Sequence, residues 1–137
     1  MIQPDFSKYA LALIHEGNVV YTSKNQGLVP LVECIEACSS RYQNCRLHDR
    51  IIGLAAAKLV VASRMIVSVF AGVSSQPAAE FLQKNHISLE SLLTVPHIIG
   101  RDGASICPME QRAMATEDAD LFLTEMRNFF RSPKDES

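Results

Sequence analysis

The sequence predicts an α/β layered sandwich with a mixed sheet. Short β-prone runs alternate with helical patterns along its 137 residues, the pattern of strands covered by helices. The first two runs flank a tight-turn signal, which makes them an antiparallel hairpin. The later runs are separated by helices, as parallel strands must be, so the sheet is mixed. The length suits one domain, 1–131, followed by the polar tail 132–137, and 47% hydrophobic residues are enough to fill a core.

Tyr9–His15 alternates Tyr9, Leu11 and Leu13 against Lys8, Ala10 and Ala12, and Val19–Thr22 follows Glu16-Gly17-Asn18. Glycine and asparagine between β-rich runs are a hairpin signal. A helix starts near Pro30, a residue tolerated in a first turn, and puts Leu31, Ile35 and Cys38 on one face. Ser39–Leu47 reads as polar and irregular. His48–Ser63 reads as one helix, apolar almost all round and therefore buried, with His48 or Asp49 at its N-cap. Met65–Ala71 is a central strand, and Gly72–Ser75 is a turn. Pro77 opens a helix that ends near Asn85. Ile87–Val95 fits either a strand or a helical turn. Gly100–Ser105 is a loop, Cys107–Ala115 a helix, and Glu117–Arg131 an amphipathic helix turning Phe122, Leu123, Met126, Phe129 and Phe130 inward.

A net charge of -2 excludes broad electrostatic binding to nucleic acid or to an anionic membrane. The longest apolar stretch, Ile51–Ala62, falls short of the roughly 20 residues that cross a bilayer. No export signal is legible, so the four cysteines are expected to be reduced thiols in a cytoplasm.

Ligands on such sheets sit near strand carboxyl ends, where helices begin. Three helix starts are therefore candidates: His48-Asp49, Ser74-Ser75 and Cys107-Pro108-Met109-Glu110. Cys107 is expected as an N-cap and Glu110 as the third helical residue, reaching back as in a capping box. A helix N-terminus favours negative charge, which suits a nucleophilic thiolate at Cys107 with Glu110 as acid or base; a plain helix cap is the alternative. Asp49 is either a ligand group or a cap. Arg101, beside Asp102, is suited to gripping a carboxylate or phosphate, or to pinning its loop through a salt bridge. Ser74 and Ser75 offer hydroxyls and N–H groups to an anion or to their own helix. His48 and His97 are candidate proton shuttles, and a structural role competes for each. Cys34, Cys38 and Cys45 lack the spacing of a zinc finger and read as core residues.

Two stretches taken together, Asp49–Ala57 (D-R-I-I-G-L-A-A-A) and Arg101–Glu110 (R-D-G-A-S-I-C-P-M-E), resemble an uncharacterised bacterial family, a domain of unknown function with a cytidine-deaminase-like fold. Gly100 stands where that family often has Asn, and Leu54 where it often has Lys. The resemblance implies a three-layer sandwich and says nothing of a reaction. Zinc deaminases carry a His or Cys two residues before a Glu, then Pro-Cys-x-x-Cys at the next helix. Here the first place reads His48-Asp49-Arg50, and the second reads Ser75–Glu80 without cysteine. No deaminase zinc, and no other cofactor, is expected.

The sequence thus leaves three functions open. One is a module binding a small polar or nucleoside-like ligand between Asp49, Arg101 and Cys107. Another is a zinc-independent enzyme using Cys107. The third is a scaffold without ligand. Arg101 is expected to fold back over Asp49 at the pocket mouth, and a homodimer is among the assemblies the sequence allows.

Overall fold

A computed structural model describes residues 3–100 and 103–130. Five strands form one mixed sheet: β1 (Leu11–His15), β2 (Asn18–Ser23), β3 (Cys45–Ile52), β4 (Ile66–Ser75) and β5 (Ser88–Val95). Five helices accompany them: α1 (Val29–Cys38), α2 (Leu54–Ser63), α3 (Gln76–Lys84), α4 (Pro108–Ala115) and α5 (Ala119–Phe130). The spatial order is β2-β1-β3-β4-β5. β1 pairs antiparallel with β2 and β3, whereas β3–β4 and β4–β5 are parallel. The expected α/β class with a mixed sheet is therefore what forms. The layers stack on one side: α1, α2 and α3 contact the sheet, and α4 and α5 pack on α2.

The β1–β2 hairpin closes through Glu16 and Gly17, at φ 50° and 79°. Positive φ at both central residues gives the turn a twist that matches the strands. Ile87–Val95, ambiguous in sequence, resolves as β5. In α5, Phe129 is exposed rather than inward: it lies in the last turn, beyond Met126. The expected helix over His48–Ser63 forms only from Leu54, and the expected irregular Ser39–Leu47 only as far as Asn44; between them Cys45–Ile52 is the central strand. Cys45, Leu47 and Asp49 alternate with Arg46, His48 and Arg50, a period of two hidden in a stretch whose polar residues resemble a loop. Pairing on both edges, with β1 and with β4, overrides that local appearance. His48 and Asp49 are consequently strand residues and cap nothing.

The expected turn at Gly72–Ser75 is also strand, because β4 stays paired with both neighbours to its end. Gly72 suits this crossing, since a Cβ there would meet the Arg50 carbonyl oxygen at 2.7 Å.

Alternation divides the sheet residues. Leu11, Leu13, Leu47, Val69 and Ala71 join α1–α3, Phe122 and Met126 in one core. Ala12 and Ile14 face the other way, under Phe6 and Tyr9. α2 is buried along most of its length, including Lys58. No helix among the described residues is long and apolar enough to cross a membrane. The expected tail 132–137 lies outside the described residues.

Gly53 is the N-cap of α2, in extended conformation. A Cβ there would stand 2.6 Å from Glu110 Cδ and 2.8 Å from Ile98 Cγ1. Gly53→Ala is therefore expected to lower stability by about 1–3 kcal/mol, the usual range for overpacking. Urea unfolding of the two proteins measures it, and an unchanged midpoint would show that the Ile98 loop and α4 yield freely.

Candidate functional site

The start of α2 offers free N–H groups, and its N-cap glycine has no side chain to satisfy them. Glu110, from the first turn of α4, supplies the acceptors. Its Oε2 accepts from Leu54 N–H at 2.7 Å and its Oε1 from Ala55 N–H at 3.0 Å. Burial raises the Glu110 pKa; the Ala55 and Leu54 bonds and the His97 charge act against it. The expected capping box within α4 is thus corrected. Cys107 is the N-cap residue of α4 but makes no side-chain cap, and its N–H donates to Ile98. Glu110 caps a different helix because the loop closing on Ile98 brings α4 alongside α2.

A second contact fixes the same pair. Lys58 Nζ donates to the Ala113 carbonyl at 2.6 Å and to the Thr116 carbonyl. Its ammonium also lies 5.7 Å from the Phe81 ring centroid, within cation–π range.

Beside this junction is a pocket of about 200 Å³. Asp49, Cys107 and Glu110 line it, between apolar walls that include Leu28, Ile98 and Met109. Asp49 reaches it from the helix-facing side of β3. Only 9% of its surface is exposed, and Oδ1 accepts from Ile51 N–H at 3.4 Å. Burial pushes its pKa up to about 8, against the Ile51 and Arg50 backbone N–H groups and the Arg50 charge. At neutral pH Asp49 is mostly a carboxylic acid, which can donate as well as accept. Arg50 also borders the pocket, but its guanidinium is turned to the Phe6 and Tyr9 carbonyls.

The structure therefore brings together Asp49, Cys107 and Glu110 and leaves His48, Ser74 and Ser75 elsewhere. His48, next to Asp49 in a strand, faces the opposite side. It is fully buried, with Nδ1 3.0 Å from Tyr9 Oη. Burial, then the Arg46 charge, lowers its pKa to about 4. Ser75 caps α3, accepting from Ala78 N–H at 3.2 Å, and Ser74 donates to Ser91 Oγ at 2.9 Å. Both serines are spent on structure and neither lines the pocket. Arg101 and Asp102 lie outside the described residues, and with them the expected Arg101–Asp49 clamp. Cys34, Cys38 and Cys45 are buried in the core. Among the described residues no three His, Cys, Asp or Glu side chains are grouped so as to hold a metal ion. Sequence reasoning missed Lys58 as a cap and Leu28 and Ile98 as walls. A lone lysine inside an apolar helix was the signal for the first; the walls come from loops that carry none.

The titration of Asp49 has a direct consequence for stability. The unfolded carboxyl ionises near 3.8 and the folded one near 8, so the folded chain holds an extra proton between them. Stability from this group is complete below the lower value and declines as pH rises to the upper one. His48 works oppositely: unfolded it protonates near 6.5 and folded near 4, so its contribution falls as pH drops through that window. The two slopes offset between pH 4 and 6.5, leaving a net decline from 6.5 to 8. Asp49→Asn removes the Asp49 part. It is expected to match wild type near pH 4 and to exceed it by on the order of a few kcal/mol at pH 8. Chemical denaturation across that range checks it, and parallel curves would place an ionised Asp49 in the fold.

Comparison with known proteins adds family membership but no activity. No curated protein matches the chain. The crystal structure of a DUF1893 family protein (TM1506) from Thermotoga maritima is similar to it, with a TM-score of 0.78 and 26% identity over 90% of this chain and 82% of that one. The family model described as TM1506, domain of unknown function (DUF1893), matches residues 5–130. The chain, hairpin to last helix, belongs to the DUF1893 family.

Proposed function

We propose that this protein binds a small polar ligand of nucleobase or nucleoside type in the pocket beside the α2 N-terminus. The observation that carries the reading is Asp49. A carboxyl with 9% of its surface exposed and a pKa near 8 weakens the fold at neutral pH, whereas Asn would fill the same space without that penalty. Shifted groups of this kind in a cleft are candidates for function. A protonated Asp49 offers one donor and one acceptor, which match the amide or amidine edge of a heterocycle. The apolar walls would take the ring faces. With Glu110 beside it and Arg50 directed away, the described part of the pocket favours a neutral or cationic group over an anion. Arg101 remains the proposed contact for any anionic portion.

A second reading, chemistry at Cys107, is supported by its partial exposure and its place on the pocket lining at the start of α4. The site is also proposed to work without deaminase zinc. His48 stands on the far face of the sheet, and the first turn of α3 has no cysteine. A reducing compartment such as the cytoplasm fits the free cysteines.

Thermal melts with cytosine, uracil, adenine and their nucleosides test the binding. At least one is expected to raise the melting temperature by a few degrees, about 1 kcal/mol or more at saturation, and to lose that effect in Asp49→Ala. Ligand shifts that survive in Asp49→Ala would remove Asp49 from the site, and no shift with any of them would leave the scaffold. Rapid alkylation of Cys107, slowed by the binding compound, would instead support chemistry there. Elemental analysis of the purified protein is expected to find far less than about one zinc per chain. One per chain, lost in Cys107→Ala, would overturn the zinc-free site.

A further inference from the structure

We propose that two copies of this chain join through β5, edge to edge and antiparallel, extending the sheet across a twofold axis. β5 lies at the end of the sheet and pairs only with β4 among the described strands. On an edge strand, a row of N–H and C=O groups points away from the neighbour and can pair with another strand. Proteins blunt such edges with lysine, proline, bulges or short length. β5 has none of these: it is eight residues long, S-L-E-S-L-L-T-V, with one charge and no register break against β4. The opposite edge strand, β2, is six residues long and carries a register shift against β1, so it is blunted where β5 is not.

The side chains give the same direction. Leu92 and Leu93 point to opposite faces, yet 74% and 57% of their surfaces are exposed. Leu93 continues a row across the sheet through Val73 to Ile51, itself 45% exposed. The chain thus leaves apolar surface on both sides of a bare edge.

The occupant is identified by the pattern of the strand. In an antiparallel pair centred on Leu92, Leu92 meets its counterpart on the axis. Glu90 then lies opposite the other copy's Thr94, a hydroxyl able to donate to it, and Leu89 lies opposite Val95. No like charges oppose each other. Parallel in-register stacking would instead set Glu90 against Glu90, which is unfavourable. Head-to-tail pairing of β5 with β2 would leave both outer edges open and build filaments. A closed twofold pair satisfies the β5 edge of both copies, sets Leu92 against Leu92 and leaves only the blunted β2 edges outside.

The test uses the wild-type chain in sedimentation equilibrium, with hydrogen exchange followed over a dilution series. The expected result is a dimer whose β5 amides exchange slowly when concentrated and faster on dilution. Leu92→Lys places two like charges at the axis and should give a monomer. Because Leu92 is exposed within the single chain, its melt should follow that of dilute wild type. A wild-type monomer at every concentration would overturn the proposal. So would a dimer with unprotected β5, a monomer with protected β5 (another segment of the chain covering the edge), filaments, or a Leu92→Lys dimer as tight as wild type.

Discussion

The α2–α4 pair, held by reciprocal end charges, is the constraint on which the rest depends. Glu110 comes from the first turn of α4 and meets the start of α2; Lys58, in the second turn of α2, meets the carbonyls at the end of α4. The two helices therefore run in the same direction, an arrangement in which their dipoles oppose. A negative group on one N-terminus and a positive group on the other helix's C-terminus are the contacts that offset this. Both side chains are buried, at 5% exposure each, so neither bond is exchanged for water without loss. The chain gains a fixed position for α4, and with it for Cys107 and the Ile98 loop.

That fixed position makes the pocket. Its wall is assembled from six places in the chain: Ala10 before β1, the loop before α1, the end of β3, the start of α2, Ile98 in the loop after β5 and the start of α4. The α2–α4 contact, with the Cys107 N–H bond to Ile98, ties the start of α4 to the rest of the wall. Gly53 belongs to the same arrangement, because its missing Cβ is the space that Glu110 and Ile98 occupy. Glu110 is committed to the helix start by two bonds, whereas the carboxyl of Asp49 lies on the pocket lining and meets the backbone N–H groups of its own strand, Ile51 at 3.4 Å and Arg50. Two acids in one pocket thus differ in their surroundings: Glu110 holds the helix start, and Asp49 stands on the lining beside it.

Much of this frame was legible in sequence, and the misses have a physical pattern. The hairpin, α1, α3, α4 and α5 follow from turn residues, proline at helix starts and 3.6-residue periodicity, all local signals. The central strand was hidden because its alternation is Leu47, Asp49 against His48, Arg50; the code is present, but its inward and outward positions both contain polar residues. Burial of Asp49 and His48 depends on neighbours far away in sequence, Leu28 and Cys107 around the pocket on one face and Tyr9 and Phe70 on the other. No window of residues contains that information. Asp49, Cys107 and Glu110 could be grouped at helix starts, but the partner of Glu110 lies 56 residues away at Leu54. Ser74 and Ser75 point to other partners: Ser75 caps its own helix at Ala78, a local bond, while Ser74 reaches Ser91 on the neighbouring strand, which no local window shows.

The strand assignment also changes the meaning of the run Arg46-Leu47-His48-Asp49-Arg50. Read along the sequence, it is a charged segment suited to solvent. Folded, it is the middle of the sheet, where an ionised group without a partner is expensive. The chain resolves this in two ways. Arg46 reaches out to Ser68 and Glu90, and Arg50 to backbone carbonyls, so the ends of both guanidinium groups have partners. His48 and Asp49 move in opposite directions, to about 4 and about 8, and both end neutral at pH 7. Alternation then puts the two neutral groups on opposite faces, so they do not form the ion pair that their adjacency suggests. His48 becomes part of an aromatic cluster with Tyr9 and Phe70. Asp49 keeps its proton on the opposite face, at the lining of the pocket.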